Sequence, residues 1–252
     1  MGKNFHGHTL DALGQAIVSG QHAVGSVLPP EPQLCESYGV SRTVVREVVK
    51  SLVAKGLLRT GPKVGTRVQP SEQWNWFDPS VVAWQTQVGL TRPFLRDLME
   101  LRRVVEPAAA RLAAERASAG DIAALESALA GMQQAIDDGG DYVGHDLQFH
   151  QGLLRAGHNR MLAQMGHGLA ALLRTSFELS TKRPHGARAS MPLHREVLDA
   201  VIAQNPTRAE RACLALIDSA ARDVEQVLTS RRRLPSLATP ARHLAPTRSP
   251  SA

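Results

Sequence analysis

Gly39-Val40-Ser41-Arg42-Thr43-Val44-Val45-Arg46-Glu47-Val48-Val49-Lys50-Ser51-Leu52-Val53-Ala54 is the stretch that decides how the front of the chain folds. Ser41 is placed to cap a helix, because its hydroxyl can accept from the free amides of the first turn. Val44, Val45, Val48, Val49 and Leu52 then recur at the spacing of a buried helical stripe. Arg42, Thr43, Arg46 and Lys50 fall on the opposite face, at i, i+1, i+4 and i+8. Upstream, Leu10, Leu13, Ile17 and Val18 predict a helix over residues 11–19, stopped by Gly20. The run Pro29-Pro30-Glu31-Pro32 opens a second helix that continues to Tyr38, since proline is compatible with a first helical turn. Downstream, residues 57–60 and 64–68 flank the breaker Gly61-Pro62 and predict two short strands around a tight turn.

Helix, turn, helix and a basic hairpin make a winged helix-turn-helix in residues 1–70. Its second helix offers Ser41, Arg42, Thr43, Arg46 and Lys50 to a major groove. The planar arginine fork can donate two bonds to guanine, and hydroxyls at the helix start can bind phosphate. The hairpin, with Lys63, Gly65, Thr66 and Arg67, is expected to reach the backbone or the minor groove. The alternative is a winged helix that contacts protein.

Charge supports the nucleic-acid reading. Residues 1–70 carry 8 Lys/Arg against 4 Asp/Glu, residues 71–230 carry 16 against 19, and residues 231–252 carry 5 Arg and no acid, within a net charge of +6. A basic module before an acidic body is the footprint of a nucleic-acid binder joined to something else, the alternative being a solvated basic helix face. At 252 residues and 43% hydrophobic the chain can bury a core. No apolar run long enough to span a membrane is present and His6, His8 and Asp11 interrupt the start, so a soluble, cytoplasmic protein without a membrane partner is expected. Cys35 and Cys213, far apart in sequence, suit a reducing compartment and are expected to be core thiols.

Residues 71–90, with Trp74, Trp76 and Trp84, form a linker too aromatic to be a loose tether; it is expected to pack on one or both neighbours. From Thr91 to residue 230 the pattern is helical. The stripes are Phe94, Leu95, Leu98, Leu101, Val104, Val105; Ile122, Leu125, Leu129, Ile136; Leu147, Phe149, Leu153, Leu154; residues 161–173; residues 197–202; and residues 209–227. The fold class is therefore mainly α, an N-terminal winged helix-turn-helix followed by an antiparallel all-α bundle, an architecture that builds ligand and metal sites between facing helices. Residues 231–252 are expected to be a disordered basic tail.

Two features of the bundle carry chemistry. Asp146 and His150 are four apart, so carboxylate and imidazole project from one face as a chelating pair must, although a His bonded to a neighbouring Asp is also ordinary. Arg174, within an apolar helix, either points inward as a carboxylate clamp or pairs with Glu178 four residues on.

The strings Pro29-Pro30-Glu31-Pro32-Gln33-Leu34, Ser41-Arg42-Thr43-Val44-Val45-Arg46-Glu47 and Gly61-Pro62-Lys63-Val64-Gly65-Thr66-Arg67 resemble the DNA-reading head of GntR-family bacterial transcription regulators. Leu98-Met99-Glu100-Leu101-Arg102, Asp146-Leu147-Gln148-Phe149-His150 with Asn159, and Leu193-His194 resemble the FCD effector domain of that family's FadR-like subgroup. The resemblance implies a homodimer, a palindromic double-stranded DNA operator, and no enzymatic activity. It also implies a divalent metal held by Asp146, His150 and His194, zinc first, with nickel or manganese as alternatives. Arg102 matches the position that grips the effector, with Glu106 at i+4 as its competing partner. The chain departs from the family at two places. Pro32 stands where many members have a DNA-contacting arginine, and Leu216 stands where the last helix normally supplies a third histidine. Along the body, Gln73-Trp74-Asn75, Val105-Glu106-Pro107 and Ala113-Ala114-Glu115-Arg116-Ala117 are similar to the galactonate-catabolism branch, which implies a small carboxylate effector such as D-galactonate. A metal-dependent hydrolase is the rival from another class, but no nucleophile or base accompanies the triad at recognisable spacing.

Overall fold

The computed structural model describes residues 5–62, 65–181 and 185–229. The front of the chain is α1 (Phe5–Val18), α2 (Glu31–Tyr38), α3 (Arg42–Ala54), β1 (Leu58–Gly61) and β2 (Gly65–Val68). Ser41 caps α3 by accepting from the amide of Val44, and Val45, Val48 and Leu52 are its buried stripe. Pro32 lies in the first turn of α2, and Gly39 ends that helix in the left-handed region at φ 62°. β1 and β2 pair antiparallel, Leu58 with Val68 and Arg59 with Arg67. Val27 adds a single bridge to Arg67, which gives the wing a third edge. Gly65 is required here, because its φ is +74° and a Cβ would stand 3.1 Å from Val27. α1 begins at Phe5, six residues before its apolar stripe suggested, because its first turn, Phe5-His6-Gly7-His8, buries no apolar side chain. Lys63 and Val64 lie outside the described residues, as does the expected tail.

After a 3-10 turn (Ser71–Gln73), α4 (Pro79–Val88) forms inside the tryptophan-rich segment. Asp78 caps it, accepting from the amides of Ser80 and Val81. Trp74, Val81 and Trp84 share one apolar cluster with Leu13, Ile17, Val48, Leu52 and Leu57. The Trp84 indole donates to Asp11 at 3.0 Å. Trp76 packs against Phe94 with ring centres 5.4 Å apart and planes tilted by 53°.

The bundle consists of α5 (Arg92–Arg116), α6 (Ala119–Asp138), α7 (Tyr142–Ala156), α8 (Arg160–Ser180), α9 (Gly186–Ile202) and α10 (Pro206–Thr229). One apolar cluster joins α5, α6, α7, α9 and α10 around Met132, Phe149, Val197 and Ile217. A second lies among α5, α7 and α8 around Val105, Leu154, Leu169 and Phe177. Three expectations need correction. α9 starts at Gly186, eleven residues before its apolar run, and contains Pro192. Val104 is 73% exposed, because the true stripe of α5 passes through Val105 and leaves its neighbour outward. Cys213 is buried, and burial pushes its thiol pKa up, but Cys35 is only half-buried. Among the described residues no helix is long and apolar enough to cross a membrane.

Candidate DNA-reading surface and metal-ligand site

Arg42, Thr43, Arg46 and Lys50 are all exposed, on the face of α3 turned away from Val45, Val48 and Leu52. Two of the cations have partners within the head. Arg46 Nε donates to Glu31 at 2.8 Å, and Lys50 pairs with Glu47 at 2.9 Å, both in solvent. On the wing, Arg67 donates to the carbonyl of Gly25 at 2.8 Å while Gly65 stays exposed and Thr66 half-buried.

The second site lies inside the bundle. Asp146 and His150 come from one face of α7 and His194 from α9, and all three are buried. One ligating atom from each lies within 4.8 Å of the others. Asp146 Oδ1 is 3.1 Å from His194 Nε2 and 3.3 Å from His150 Nε2. Those are the separations of neighbouring donors around a metal, about 3.0–3.4 Å for bonds near 2.1 Å. His194 Nδ1 faces the carbonyl of Ser190 at 2.9 Å. A carbonyl can only accept, so Nδ1 carries the proton and the neutral ring presents an Nε2 lone pair to a carboxylate. Two acceptors facing each other require a cation, either a proton on the ring or a metal beside it. The donor set of two imidazoles and a carboxylate suits zinc and its neighbours, so the cluster could bind a metal.

Behind His150 stands a group that spacing did not reveal. Its Nδ1 pairs with Glu106 Oε2, and the imidazole is thus held between two carboxylates. Arg102 Nε donates to the other Glu106 oxygen at 2.6 Å, and Arg102 Nη1 donates to Ser176 at 2.9 Å. The Phe177 ring lies 4.8 Å beneath the guanidinium. Burial opposes ionisation of Glu106, but the Arg102 charge and then His150 outweigh it and hold the carboxyl at about 2. Burial likewise opposes a charged His150, yet Glu106 and Asp146 push its pKa up to about 9. Asp146 is held well below the ordinary carboxylate range, because His150 and His194 overcome its desolvation.

A cavity of about 30 Å³ opens beside the triad, with Arg102, Tyr142 and Asp223 among its walls. Leu216 is there too, so the last helix contributes a hydrocarbon where the family pattern has an imidazole. Arg174 is not part of this site. It is exposed on α8 and lies 3.7 Å from Glu178 and 3.9 Å from Asp141, because the buried stripe of α8 runs through Leu169, Leu172, Leu173 and Ser176 and turns position 174 outward. His158 pairs with Asp121 at 2.8 Å, and like His167 and His185 it lies on the surface. In sequence Glu106 stands as a lone acid in Val104-Val105-Glu106-Pro107-Ala108-Ala109-Ala110, where its i+4 relation to Arg102 marks it only as a competing ion-pair partner.

A cation-bearing recognition helix with a wing, carried by an all-helical body that encloses a small polar cavity, defines a one-component transcription regulator. The model of bacterial regulatory proteins of the gntR family matches residues 7–68, and the FCD domain model matches residues 97–219. The galactonate operon transcriptional repressor of Escherichia coli K12 is 36% identical over 219 residues, covering 85% of this chain and 94% of that protein. The Glc operon transcriptional activator of the same organism is 27% identical over 211 residues, covering 80% and 82%. A solved structure of Lar from Listeria monocytogenes, at 15% identity, superposes with a TM-score of 0.64 over 90% of this chain and 99% of that one and shares the fold. The chain belongs to the GntR family, in the group with an FCD domain. It is a DNA-binding transcription regulator from a family of regulators rather than enzymes.

Proposed function

We propose that the chain is a homodimeric repressor of a sugar-acid catabolic operon of the galactonate type, released from its operator by a small carboxylate effector. The relation to the galactonate operon repressor carries this reading, and the Arg102-walled cavity beside the Asp146, His150 and His194 cluster supports it. Arg42 and Arg46 read base edges, Ser41, Thr43 and Lys50 hold phosphates, and the wing residues Lys63, Gly65, Thr66 and Arg67 follow the adjacent backbone. Asp146, His150 and His194 hold zinc, with nickel and manganese as the alternatives. When bound, the cation supplies a Lewis-acidic point to which a sugar acid can offer its carboxylate and 2-hydroxyl.

Arg102 has donors left for an anion. Its bonds to Glu106 and Ser176 use Nε, one Nη1 hydrogen and a longer Nη2 contact of 3.5 Å, out of the five N–H donors of the guanidinium. The cavity of about 30 Å³ holds roughly one water, so a sugar acid enters only an opened form of the body. An effector that binds the open form alone shifts the population toward it, and heads that must keep one separation on two half-sites lose their fit. In the proposed dimer a second copy would cover some of the exposed large apolar side chains of the body, such as Val104 on α5 and Met161 on α8.

An electrophoretic mobility series on operator DNA with increasing galactonate tests the proposal. Loss of the shifted band is expected, and binding unchanged through millimolar effector counts against it. The Glc operon relative is an activator, and the same fold would activate here if the operator lay upstream of the promoter rather than across it.

A further inference from the structure

We propose that Glu106 is the positioning residue of the metal site, orienting His150 as a ligand through its far nitrogen and thereby supporting a cluster that Leu216 leaves one side chain short. The inference rests on the metal reading of Asp146, His150 and His194.

The three ligands are not held alike. His194 is fixed by a neutral acceptor, the carbonyl of Ser190 at 2.9 Å on its own helix. The Nδ1 of His150 is in close contact with a carboxylate that reaches it from α5, a different helix, although the pair is not aligned as a hydrogen bond. A carboxylate on the second nitrogen of a ligating imidazole sets its tautomer, locks the ring plane and raises its basicity as a donor. Glu106 is itself immobilised. Arg102, four residues earlier on α5, takes one of its oxygens at 2.6 Å, while Ser176 accepts from the far side of the guanidinium at 2.9 Å. Phe177 spans the two ends of this three-residue relay, with its ring 4.8 Å from the Arg102 guanidinium carbon and 4.9 Å from the His150 ring centre. Arg102, Glu106 and His150 are each at most 2% exposed, so water does not compete for these bonds. An ion pair this deep is costly in itself, and purely apolar packing would fill the space as well. Its order, guanidinium to carboxylate to imidazole, aims Nε2 of His150 at Asp146 Oδ1, where the other donors converge.

The test is zinc affinity of the full chain, measured by competition with a chromophoric chelator for the unmodified protein, Glu106→Gln, His150→Ala and the double variant. Cobalt(II) absorption serves as the second readout. Glu106→Gln is expected to weaken zinc about 10–100-fold and to shift the cobalt bands. In the His150→Ala background the same change is expected to alter affinity by less than about twofold, since a residue acting through His150 then has nothing to act on. Equal zinc affinity of Glu106→Gln and the unmodified chain overturns the role of Glu106 and leaves the metal reading standing. A full effect in the His150→Ala background also overturns it, marking a general loss of packing. An unmodified chain that binds neither zinc nor cobalt removes the metal reading and this role together. Should Glu106→Gln not fold, Glu106→Asp carries the same comparison, with weakened zinc binding as the expected result and unchanged binding as the overturning one.

Discussion

Gly14 on α1 lies against the Trp84 ring of α4, so closely that a Cβ at position 14 would come within 2.6 Å of three ring carbons. The indole cannot yield, because it is 1% exposed and its nitrogen is bonded to Asp11. Gly14→Ala is therefore expected to destabilise the protein, although alanine is the better helix former. Overpacking of this kind costs about 1–3 kcal/mol, against which helix propensity returns at most about 1. Thermal unfolding of the two proteins checks the sign, and a more stable variant would refute the fit described.

Asp78 both caps α4 and pairs with Lys55 at 2.6 Å. Its half-buried carboxyl is opposed by desolvation but held below the usual range by Lys55 and by the amides of Ser80 and Val81. The folded pKa is depressed, so the stabilisation is complete above the unfolded pKa and is lost as pH falls through the folded one. Asp78→Ala is expected to lose about 0.5–2 kcal/mol near neutrality, as a lost cap does. The difference between the two proteins should shrink on acidification through and below pH 4, which denaturant titrations at several pH values would show.

Glu31 anchors Arg46 beside the DNA-reading face of α3, at 2.8 Å. Arg46→Ala is expected to lose about 1–3 kcal/mol of operator affinity if the side chain reads a base, and equal loss on random DNA would mark it as a phosphate contact. Glu31→Gln releases the same guanidinium and removes an acid from the surface, so it should strengthen binding to random DNA. Paired mobility assays on operator and scrambled duplex measure both.

Chelation tests the triad independently of transcription. If Asp146, His150 and His194 hold a metal, the loaded chain should lose about 2.7 kcal/mol of stability when free metal at a hundred times its Kd is withdrawn, by mass action. Asp146→Ala should unfold at the same temperature with and without chelator.

Arg174 supplies a control. Exposed and paired with Glu178, it should be dispensable for effector response, so Arg174→Ala should leave the galactonate midpoint in a mobility assay unchanged while Arg102→Ala moves it.

What was legible in the sequence was whatever local chemistry fixes. Ser41 capped α3 through its hydroxyl, Gly39 ended α2 because it lacks a Cβ and so accepts the left-handed conformation, and the valine stripe placed Arg42, Arg46 and Lys50 outward. Asp146 and His150 came to one face because four residues make about one turn. Contacts between helices were not legible in this way. The first half of α9 buries only Gly186 and His194, too little to show as a stripe, and so its start was missed. Glu106 and Arg174 are both charges with a partner four residues away, one buried and one exposed, and only tertiary packing separates them. His194 entered the site through family likeness, since nothing in its spacing relates α9 to α7.

The tryptophan segment has a mechanical consequence. Helix α4 is keyed into the reading head by an indole that admits no play, and on its other side Thr86 touches Thr175 on α8 at 3.3 Å, next to the Ser176 that steadies Arg102. If the cavity beside Arg102 takes the effector proposed above, a displacement there would reach α3 by leverage through a stiff strut, so that lengthening or softening residues 71–90 should uncouple sensing from DNA release while leaving effector binding and DNA binding intact.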